Sequence, residues 1–189
     1  LKKDCEILLV DGRLELSTER CFPAGTLREK DVSRATIVII THASKSIAAY
    51  RGRLLAHGLH KQHYLFRGHH VFSHVSDLSG KKISINLLKD KSLFACAGIG
   101  SFGQFLKTIT DQAGLIVGAY QEYADHYFYR ASDIKMLEEK ASSIGCFGII
   151  TTTKDWVKIK PYVKVKYKNS SIWLVLHVEF EFLTRAEYS

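Results

Sequence analysis

The chain has 189 residues, 46% of them hydrophobic and 24% charged, a composition that fits a globular domain with a full hydrophobic core. No apolar run approaches the roughly 18 residues that a membrane-spanning helix needs. The formal net charge of +8 indicates a phosphorylated substrate, an anionic membrane surface or simply a solvated basic face. Because the lysines and arginines are scattered rather than interleaved with aromatic residues along one helix, nucleic acid is not an expected partner.

The first third of the chain predicts two strands followed by a helix. Residues 5–10 (CEILLV) form a continuous apolar run of strand length, and apolar side chains on both faces indicate a central parallel strand. Residues 36–41 (TIVIIT) form a second such run, rich in β-branched side chains. A helix is predicted over residues 43–59, where apolar residues recur at helical spacing.

Residues 57–74 differ in composition, because six histidines alternate there with aromatic and apolar residues. The pattern predicts one or two short strands. Histidine is the commonest metal ligand, so a metal site is one interpretation. The spacing matches no established ligand pattern, and the segment holds no Cys, Asp or Glu to complete a site. We therefore expect packed or solvated histidines and no metal. The six residues are His57, His60, His63, His69, His70 and His74.

The middle of the chain predicts a strand, a glycine turn and a helix. Residues 80–88 indicate a short strand and turn, residues 92–97 (SLFACA) a buried strand, and residues 101–113 a helix. The turn before this helix is the Gly-Ile-Gly sequence of residues 98–100. It is consistent with an anion at the helix N-terminus, and equally with close packing of the helix against the strand.

The last third alternates strands and helices. Ser132 is a predicted N-cap for a helix that ends near residue 143, and Trp156 and Ile159 are expected to pack inward from a short helical turn. Strands are predicted over residues 115–120, 146–151 and 171–178. Strands separated by helices at this spacing predict an α/β fold with a mostly parallel sheet flanked by helices.

A polar pair, Asp125 and His126, lies inside an aromatic run directly after the strand at residues 115–120. Loops that leave strands commonly carry the chemistry of α/β proteins. A carboxylate beside an imidazole is suited to proton transfer, so this pair is the candidate catalytic site. The structural alternative is a loop carboxylate that caps backbone amides next to a surface histidine.

The four cysteines are far apart in the sequence and form no C-x-x-C pair. Cys5, Cys96 and Cys146 lie in apolar, strand-like surroundings, which favours buried free thiols in a reducing cytosol over disulfides or zinc ligands. Cys21 is the fourth.

Four segments, in order, resemble the tetraacyldisaccharide 4'-kinase family. Residues 23–29 (PAGTLRE) are similar to its Pro-Ala-Gly-Pro-Leu-Arg-Glu segment, and residues 94–105 to its Phe-Ala-Gly-Ile-Gly-Asn-Pro-x-x-Phe segment, with Ser-Phe in place of Asn-Pro. Residues 123–129 resemble its Phe-x-Asp-His-His-x-Tyr loop, with Tyr127 at the second His. Residues 151–155 resemble its Thr-Thr-x-Lys-Asp.

The resemblance implies the C-terminal half of a lipid A biosynthesis kinase. The family's P-loop lobe, with its G-x-x-x-x-G-K-[ST] loop, has no counterpart in the sequence. We therefore expect a single α/β lobe over residues 1–189, resembling the C-terminal lobe of a P-loop NTPase-like kinase, with residues 1–42 as the end of the nucleotide-binding lobe or a hinge region. The expected reaction is phosphorylation of the 4'-hydroxyl of tetraacyldisaccharide 1-phosphate with ATP and Mg²⁺, and this portion is expected to be inactive alone.

The same resemblance implies roles for three residues. His126 would pair with an Asp of the missing N-terminal lobe to activate the sugar hydroxyl, and Asp125 would hold or tune that imidazole. Arg28 would contact phosphate, because a guanidinium neutralises spreading negative charge, although a surface ion pair with Glu29 is an equal alternative. For Asp155 we favour a simple role at the start of the helical turn. The glycolipid substrate implies a peripheral location at the cytoplasmic face of the inner membrane.

A second hypothesis is a non-enzymatic binding module. It would be a remnant that keeps the fold and recognises an anionic ligand, or a metal through the histidine-rich segment. The departures at Tyr127 and at residues 101–102 favour it.

Overall fold

A computed structural model describes residues 4–13, 32–60, 63–163 and 172–183. The chain divides into two compact units, one of Leu1–His70 with Phe180–Ser189 and one of Val71–Glu179. Strands and helices alternate in both, and most strand pairs are parallel, so the predicted α/β class is confirmed. That residues 1–42 end a nucleotide-binding lobe stays a prediction.

The first unit contains β1 (Ile7–Asp11), β2 (Ile37–Thr41), α1 (Ile47–Leu55) and the beginning of β3 (Tyr64–Ser76). β2 lies between β1 and β3, parallel to both. The helix is shorter than the periodicity predicts. It begins after Ser46, whose Oγ accepts a hydrogen bond from the Ala49 amide at 3.3 Å, the usual arrangement of an N-cap serine.

Strand β1 lies at the edge of the sheet among the described strands, whereas its apolar sequence predicts a central position. Its side chains alternate: Leu8 and Val10 pack towards the core of the first unit, while Ile7 and Leu9 are 56% and 65% exposed. The run is therefore apolar on both faces, but only one face is covered by described residues.

Two long strands run through both units. β3 is one 13-residue strand rather than one or two short ones, and its residues up to His70 belong to the first unit. β8 (Ile172–Phe182) extends four residues beyond the predicted end, and its residues from Phe180 onward belong to the first unit. The alternation of charge and Phe at the end of β8 is therefore part of a strand.

The second unit is built on four parallel strands in the order β6, β5, β7, β8. A short antiparallel strand, β4, pairs with β3. The bounds are β4 (Lys82–Ile83), β5 (Ser92–Ala97), β6 (Ile116–Glu122), β7 (Gly148–Thr152), α2 (Phe102–Lys107), α3 (Ala131–Ser143) and α4 (Thr153–Ile159). The predicted helix over residues 101–113 is α2 continued by a π-helical stretch, Thr108–Gln112.

The core of the second unit lies on both faces of this sheet. Alternate residues of β5 point to opposite sides, so Ala95 packs among α2 side chains and Phe94 among α3 side chains. A parallel strand buried on both faces needs an uninterrupted apolar sequence, which SLFACA supplies. Ile159 is buried and Trp156 packs against the same cluster, as predicted.

The start of α3 differs from the prediction. Ser132 lies inside the helix, and Arg130 is the N-cap. The Asp133 carboxylate accepts a hydrogen bond from the Arg130 amide at 2.8 Å, so the acidic side chain in the first turn satisfies the cap instead of a serine hydroxyl.

The described cysteines are free thiols, as predicted, but only Cys96 is fully buried, and Cys5 is exposed. Burial raises the pKa of the Cys96 thiol to about 12, so it stays protonated and inert. Cys21 lies outside the described residues. Within the described part of the chain, no helix is long and apolar enough to cross a membrane.

Candidate functional site

The loop that follows β6 carries Asp125 and His126 above the carboxyl end of β5. The His126 amide donates to the carbonyl of Gly98 at 3.2 Å, and the Asp125 side chain accepts from the same amide at 2.9 Å. His126 has φ of +63°, in the left-handed region that non-glycine residues seldom adopt. Such a conformation persists only where its surroundings enforce it, and it occurs often at functional sites.

The Asp125 carboxylate lies between two cationic or potentially cationic groups. Its Oδ1 accepts a hydrogen bond from Lys154 Nζ at 3.2 Å, and its Oδ2 lies 3.7 Å from His126 Nε2. The hydrogen bond from Lys154, assisted by the charge of His126, holds the pKa of Asp125 below its ordinary value. Asp125 is thus a carboxylate at neutral pH.

The imidazole of His126 is accessible. Its side chain is 72% exposed, compared with 45% for Asp125. At 3.7 Å the Asp125 oxygen is too far for a hydrogen bond to Nε2, but its negative charge lies close to the ring. An exposed imidazole next to a fixed carboxylate can accept a proton from a bound hydroxyl group and be stabilised as the cation.

Helix α4 lies against this loop. Besides the contact of Lys154 with Asp125, Lys158 Nζ donates to the carbonyl of Tyr127 at 3.3 Å. Between these lysines, Asp155 is fully buried, and its Oδ2 accepts the amide hydrogen of Gly98 at 3.1 Å. Asp155 lies in the first turn of α4, which begins at Thr153, so it does not start the helix as predicted, and its carboxylate also reaches the turn that supports His126. The Thr-Thr-x-Lys-Asp resemblance drew attention to Lys154 and Asp155, but it did not predict their contacts with this loop and turn.

Three tyrosines support the loop from below. The rings of Tyr123, Tyr127 and Tyr129 lie 4.5 to 5.2 Å apart between centroids, mostly edge to face. Tyr127 also donates from its hydroxyl to Asp133 at 3.2 Å. Tyr127, the position at which the sequence departs from the resembled motif, is therefore a packing residue here. Burial raises the pKa of Tyr123 and Tyr129, so both are neutral phenols.

The glycine turn at residues 98–100 is explained by close approach of this loop. A Cβ atom on Gly98 would lie 3.0 Å from both the carbonyl oxygen of Ala124 and the Cβ of Tyr127. A side chain there would push this loop away by a few tenths of an ångström. The close neighbour of Gly98 is thus the 124–127 loop, whereas the packing interpretation expected the helix against the strand.

The histidines of the histidine-rich segment, residues 57–74, make separate contacts and do not form one cluster among the described residues. His63 is buried, with Nδ1 accepting from the His60 amide at 2.7 Å and Nε2 3.1 Å from the Ser33 carbonyl, so it is a satisfied core histidine. His74 stacks on His177 at 4.2 Å. In the described ranges, no three His, Cys, Asp or Glu side chains are grouped as metal ligands.

A second aspartate–histidine pair lies in the first unit, at the carboxyl ends of β1 and β2. Asp11 Oδ1 is 3.7 Å from His42 Nδ1, and Arg13 forms hydrogen bonds to both Asp11 oxygens, the shortest at 2.6 Å. His42 also has a positive φ, +50°. Sequence reasoning missed this pair because its members lie 31 positions apart in the chain and carry no shared motif. Arg28, the predicted phosphate contact, lies outside the described residues.

The parallel sheet and the polar loop at its carboxyl edge define an α/β protein with its candidate site at the strand ends. A family model described as tetraacyldisaccharide-1-P 4'-kinase matches residues 1–189. The chain therefore belongs to the tetraacyldisaccharide-1-P 4'-kinase family, and the sequence-based resemblance is confirmed.

Individual relatives are similar over most of this chain but only part of their own. The tetraacyldisaccharide 4'-kinase of Syntrophus aciditrophicus is 30% identical over 87% of this chain and 47% of its own length. That of Coxiella burnetii is 30% identical over 86% of this chain and 40% of its own. A crystal structure of LpxK from Aquifex aeolicus in complex with ATP aligns with a TM-score of 0.62 and 23% identity, over 96% of this chain and 49% of that one.

The chain thus spans about half the length of the relatives that it matches. The similarity to the Aquifex aeolicus structure supports the fold.

Proposed function

We propose that this chain is the C-terminal part of a lipid A 4'-kinase, which transfers the γ-phosphoryl group of ATP to the 4'-hydroxyl of tetraacyldisaccharide 1-phosphate. The observation that carries the proposal is the exposed His126 beside the ionised Asp125, on a loop that Lys154 and Lys158 of α4 contact directly. Phosphoryl transfer depends on positioning and on charge neutralisation, so a fixed proton acceptor at a strand end suits it.

His126 is proposed to accept the proton of the sugar hydroxyl as the oxygen attacks. Asp125 then stabilises the imidazolium through its charge, since its Oδ2 lies 3.7 Å from Nε2. The proposed contribution of this chain is thus to hold the imidazole where it can accept that proton, with the Asp125 carboxylate beside it. Arg28 remains the proposed phosphate contact by resemblance.

ATP is the proposed phosphoryl donor, because the Aquifex aeolicus relative was crystallised with it. The described residues do not themselves fit Mg²⁺: the Asp125 carboxylate is already engaged by Lys154 and by the His126 amide. The sequence also lacks a phosphate-cradling G-x-x-x-x-G-K-[ST] loop. We therefore assign the binding of ATP and Mg²⁺ mainly to a further part of the kinase.

Strand β1 is the proposed contact for that further part. Ile7 and Leu9 are exposed apolar side chains on a strand that pairs with only one neighbour among the described strands. Apolar side chains exposed on a sheet edge are usually covered in the complete protein. The net charge of +8 supports the proposed work on a phosphorylated glycolipid at the cytoplasmic face of an anionic membrane.

The test compares this chain alone with the same chain joined to the part of the Syntrophus aciditrophicus kinase that it does not cover. Transfer of labelled γ-phosphate from ATP to tetraacyldisaccharide 1-phosphate is measured for both, with the intact Syntrophus aciditrophicus kinase as the positive control. We expect transfer by the joined protein and none by the chain alone.

Two outcomes contradict the proposal. A folded joined protein that transfers no phosphate, while the positive control does, would favour the non-enzymatic binding module. Transfer by the chain alone at the rate of the joined protein would show that the chain needs no further part.

A further inference from the structure

Helix α4 is linked to residues 125–127 of the loop after β6 in three ways, two of them direct and one through Gly98. Lys154 forms an ion pair with the Asp125 side chain at 3.2 Å, and Lys158 donates to the Tyr127 carbonyl at 3.3 Å. Asp155 reaches His126 indirectly, through Gly98. A seven-residue helix that served only to lead the chain away from β7 would not need these contacts with the loop.

The contact through Gly98 is a chain of two hydrogen bonds. The Asp155 carboxylate accepts the Gly98 amide hydrogen at 3.1 Å, and the Gly98 carbonyl accepts the His126 amide hydrogen at 3.2 Å. Both bonds are made by the backbone of Gly98, so they restrain the same residue at its N–H and at its C=O. The left-handed backbone of His126 is thus anchored by a carboxylate at the other end of this chain of bonds.

The environment of Asp155 is more costly than a helix cap requires. Its side chain is fully buried, with Oδ2 also accepting from the Thr152 hydroxyl at 2.7 Å and Oδ1 lying 3.7 Å from Lys158 Nζ. Thr152 already caps α4, because its Oγ accepts the Asp155 amide hydrogen. A buried carboxylate needs partners, and one of the partners of Asp155, the Gly98 amide, lies outside α4, so its contacts extend beyond capping the helix.

We propose that Asp155 is a positioning residue for His126. It sets the Gly98 peptide, which in turn holds His126 in its left-handed conformation and keeps the imidazole beside Asp125. This inference rests on the proposed function for its catalytic consequence, but the coupling between Asp155 and His126 is a property of the chain itself.

The first experiment measures amide hydrogen exchange by NMR in the 189-residue chain and in Asp155→Ala and Asp155→Asn. We expect the Gly98 and His126 amides to exchange about tenfold faster or more in Asp155→Ala, because the hydrogen bond from Gly98 to the Asp155 side chain is lost. Asp155→Asn keeps the shape and one acceptor oxygen, so it should give a smaller increase at the same amides.

Thr151→Val is the matched control. Thr151 is equally buried in the same segment, but no described contact joins its side chain to the loop. In the Thr151→Val variant, the Gly98 and His126 amides should exchange at the wild-type rate. If Asp155→Ala does not fold, Asp155→Asn decides: wild-type exchange at Gly98 and His126 in that folded variant overturns the inference.

The second experiment measures kinetics in the joined kinase. A positioning residue that does not touch the substrate should lower kcat by about tenfold or more and leave KM for ATP within about twofold, with partial recovery in Asp155→Asn relative to Asp155→Ala. Unchanged kcat in both variants would contradict the catalytic consequence. If the wild-type joined protein transfers no phosphate, the proposed function fails, while amide exchange still decides the coupling.

Discussion

The molecule contains two aspartate–histidine pairs that are alike in several respects. In each, a carboxylate oxygen lies 3.7 Å from an imidazole nitrogen, a neighbouring cation binds the carboxylate, and the histidine has a positive φ. One pair is Asp11–His42 with Arg13, and the other is Asp125–His126 with Lys154. Distance alone therefore does not single out one pair as the candidate for catalysis.

The two pairs differ in exposure and in how the cation is used. The His42 side chain is 26% exposed, with its ring 5.8 Å from that of His70, whereas His126 is 72% exposed. Arg13 forms hydrogen bonds to both oxygens of Asp11, but Lys154 binds only one oxygen of Asp125. The first group thus resembles a structural ion pair of Asp11 with Arg13 that has an imidazole packed beside it, whereas the second group has an exposed imidazole and one carboxylate oxygen without a bond to the lysine.

The pKa shifts of His42 and Asp11 agree with a structural role for the first pair. Burial, assisted by the positive charge of Arg13, lowers the pKa of His42 below its ordinary value of 6.5, which favours a neutral ring. For Asp11, burial raises the pKa, but hydrogen bonds and the charge of Arg13 outweigh it and lower the pKa overall. A buried neutral imidazole is suited to packing. An exposed imidazole beside a fixed carboxylate is suited to proton transfer.

The largest expected difference between the pairs is in catalysis. In the joined kinase, His126→Asn should lower kcat by about 10²-fold or more, since a general base is lost. Asparagine tolerates the left-handed region, so the loop should keep its backbone. The matched variant His42→Asn should leave kcat within a few-fold. Steady-state phosphoryl transfer measures both, and equal losses in the two variants would show that exposure does not distinguish the pairs.

The proximity of Asp125 and His126 was predictable from the sequence, whereas the proximity of Asp11 and His42 was not. Asp125 and His126 are adjacent in the chain and lie within a recognisable motif, so their proximity needs no tertiary information. Asp11 and His42 meet only because β1 and β2 are parallel and in register, with Asp11 opposite Thr41. A single sequence does not specify that register.

The element boundaries show the same limit. The strands of the second unit could be predicted because strands buried on both faces are continuously apolar. The cap of α3 at Arg130 could not, because it depends on the Asp133 carboxylate turning back to an amide. The contacts of Asp155 were likewise hidden, since its sequence position alone indicates a helix start.

The second expected effect is on stability. Asp11→Asn should lower the free energy of unfolding by about 0.5–1 kcal/mol, because it weakens a partly exposed contact with Arg13 that solvent already screens. Asp125→Asn should have a smaller effect, since this side chain is more exposed and contacts a single lysine Nζ. Urea denaturation of the two variants measures the difference. A larger loss at Asp125 would mean that the catalytic loop also stabilises the fold.

The third effect is a pH dependence that His42 shows. Because its folded-state pKa lies below 6.5, the unfolded chain takes up the proton first as the pH falls. The stability due to the neutral ring is therefore present above about pH 6.5 and is lost as the pH falls from there to the folded-state pKa. His177, also with a lowered pKa caused mainly by burial, contributes in the same direction.

Thermal unfolding between pH 7.5 and pH 5 measures this loss, with the pH range chosen to bracket the ordinary histidine value of about 6.5. His42→Asn should flatten the dependence in part, and adding His177→Asn should flatten it further. The low-pH contribution of Asp11 is separate, because its lowered pKa places the loss below 3.8. An unchanged slope in His42→Asn would mean that the ring is not buried as described.

The smallest effect tests the backbone. Both histidines have a positive φ, a conformation that glycine adopts without steric cost. At His126 the exposed ring has few contacts to lose, so His126→Gly should change the free energy of unfolding by less than about 0.5 kcal/mol, relief of strain offsetting the added freedom of the unfolded chain. At His42 the half-buried ring is lost as well, and His42→Gly should cost about 1 kcal/mol. Because backbone strain is common to both sites, the difference in unfolding free energy between these two variants isolates the contribution of the imidazole ring. The burial of that ring is the feature that distinguishes a packing histidine from one available for catalysis.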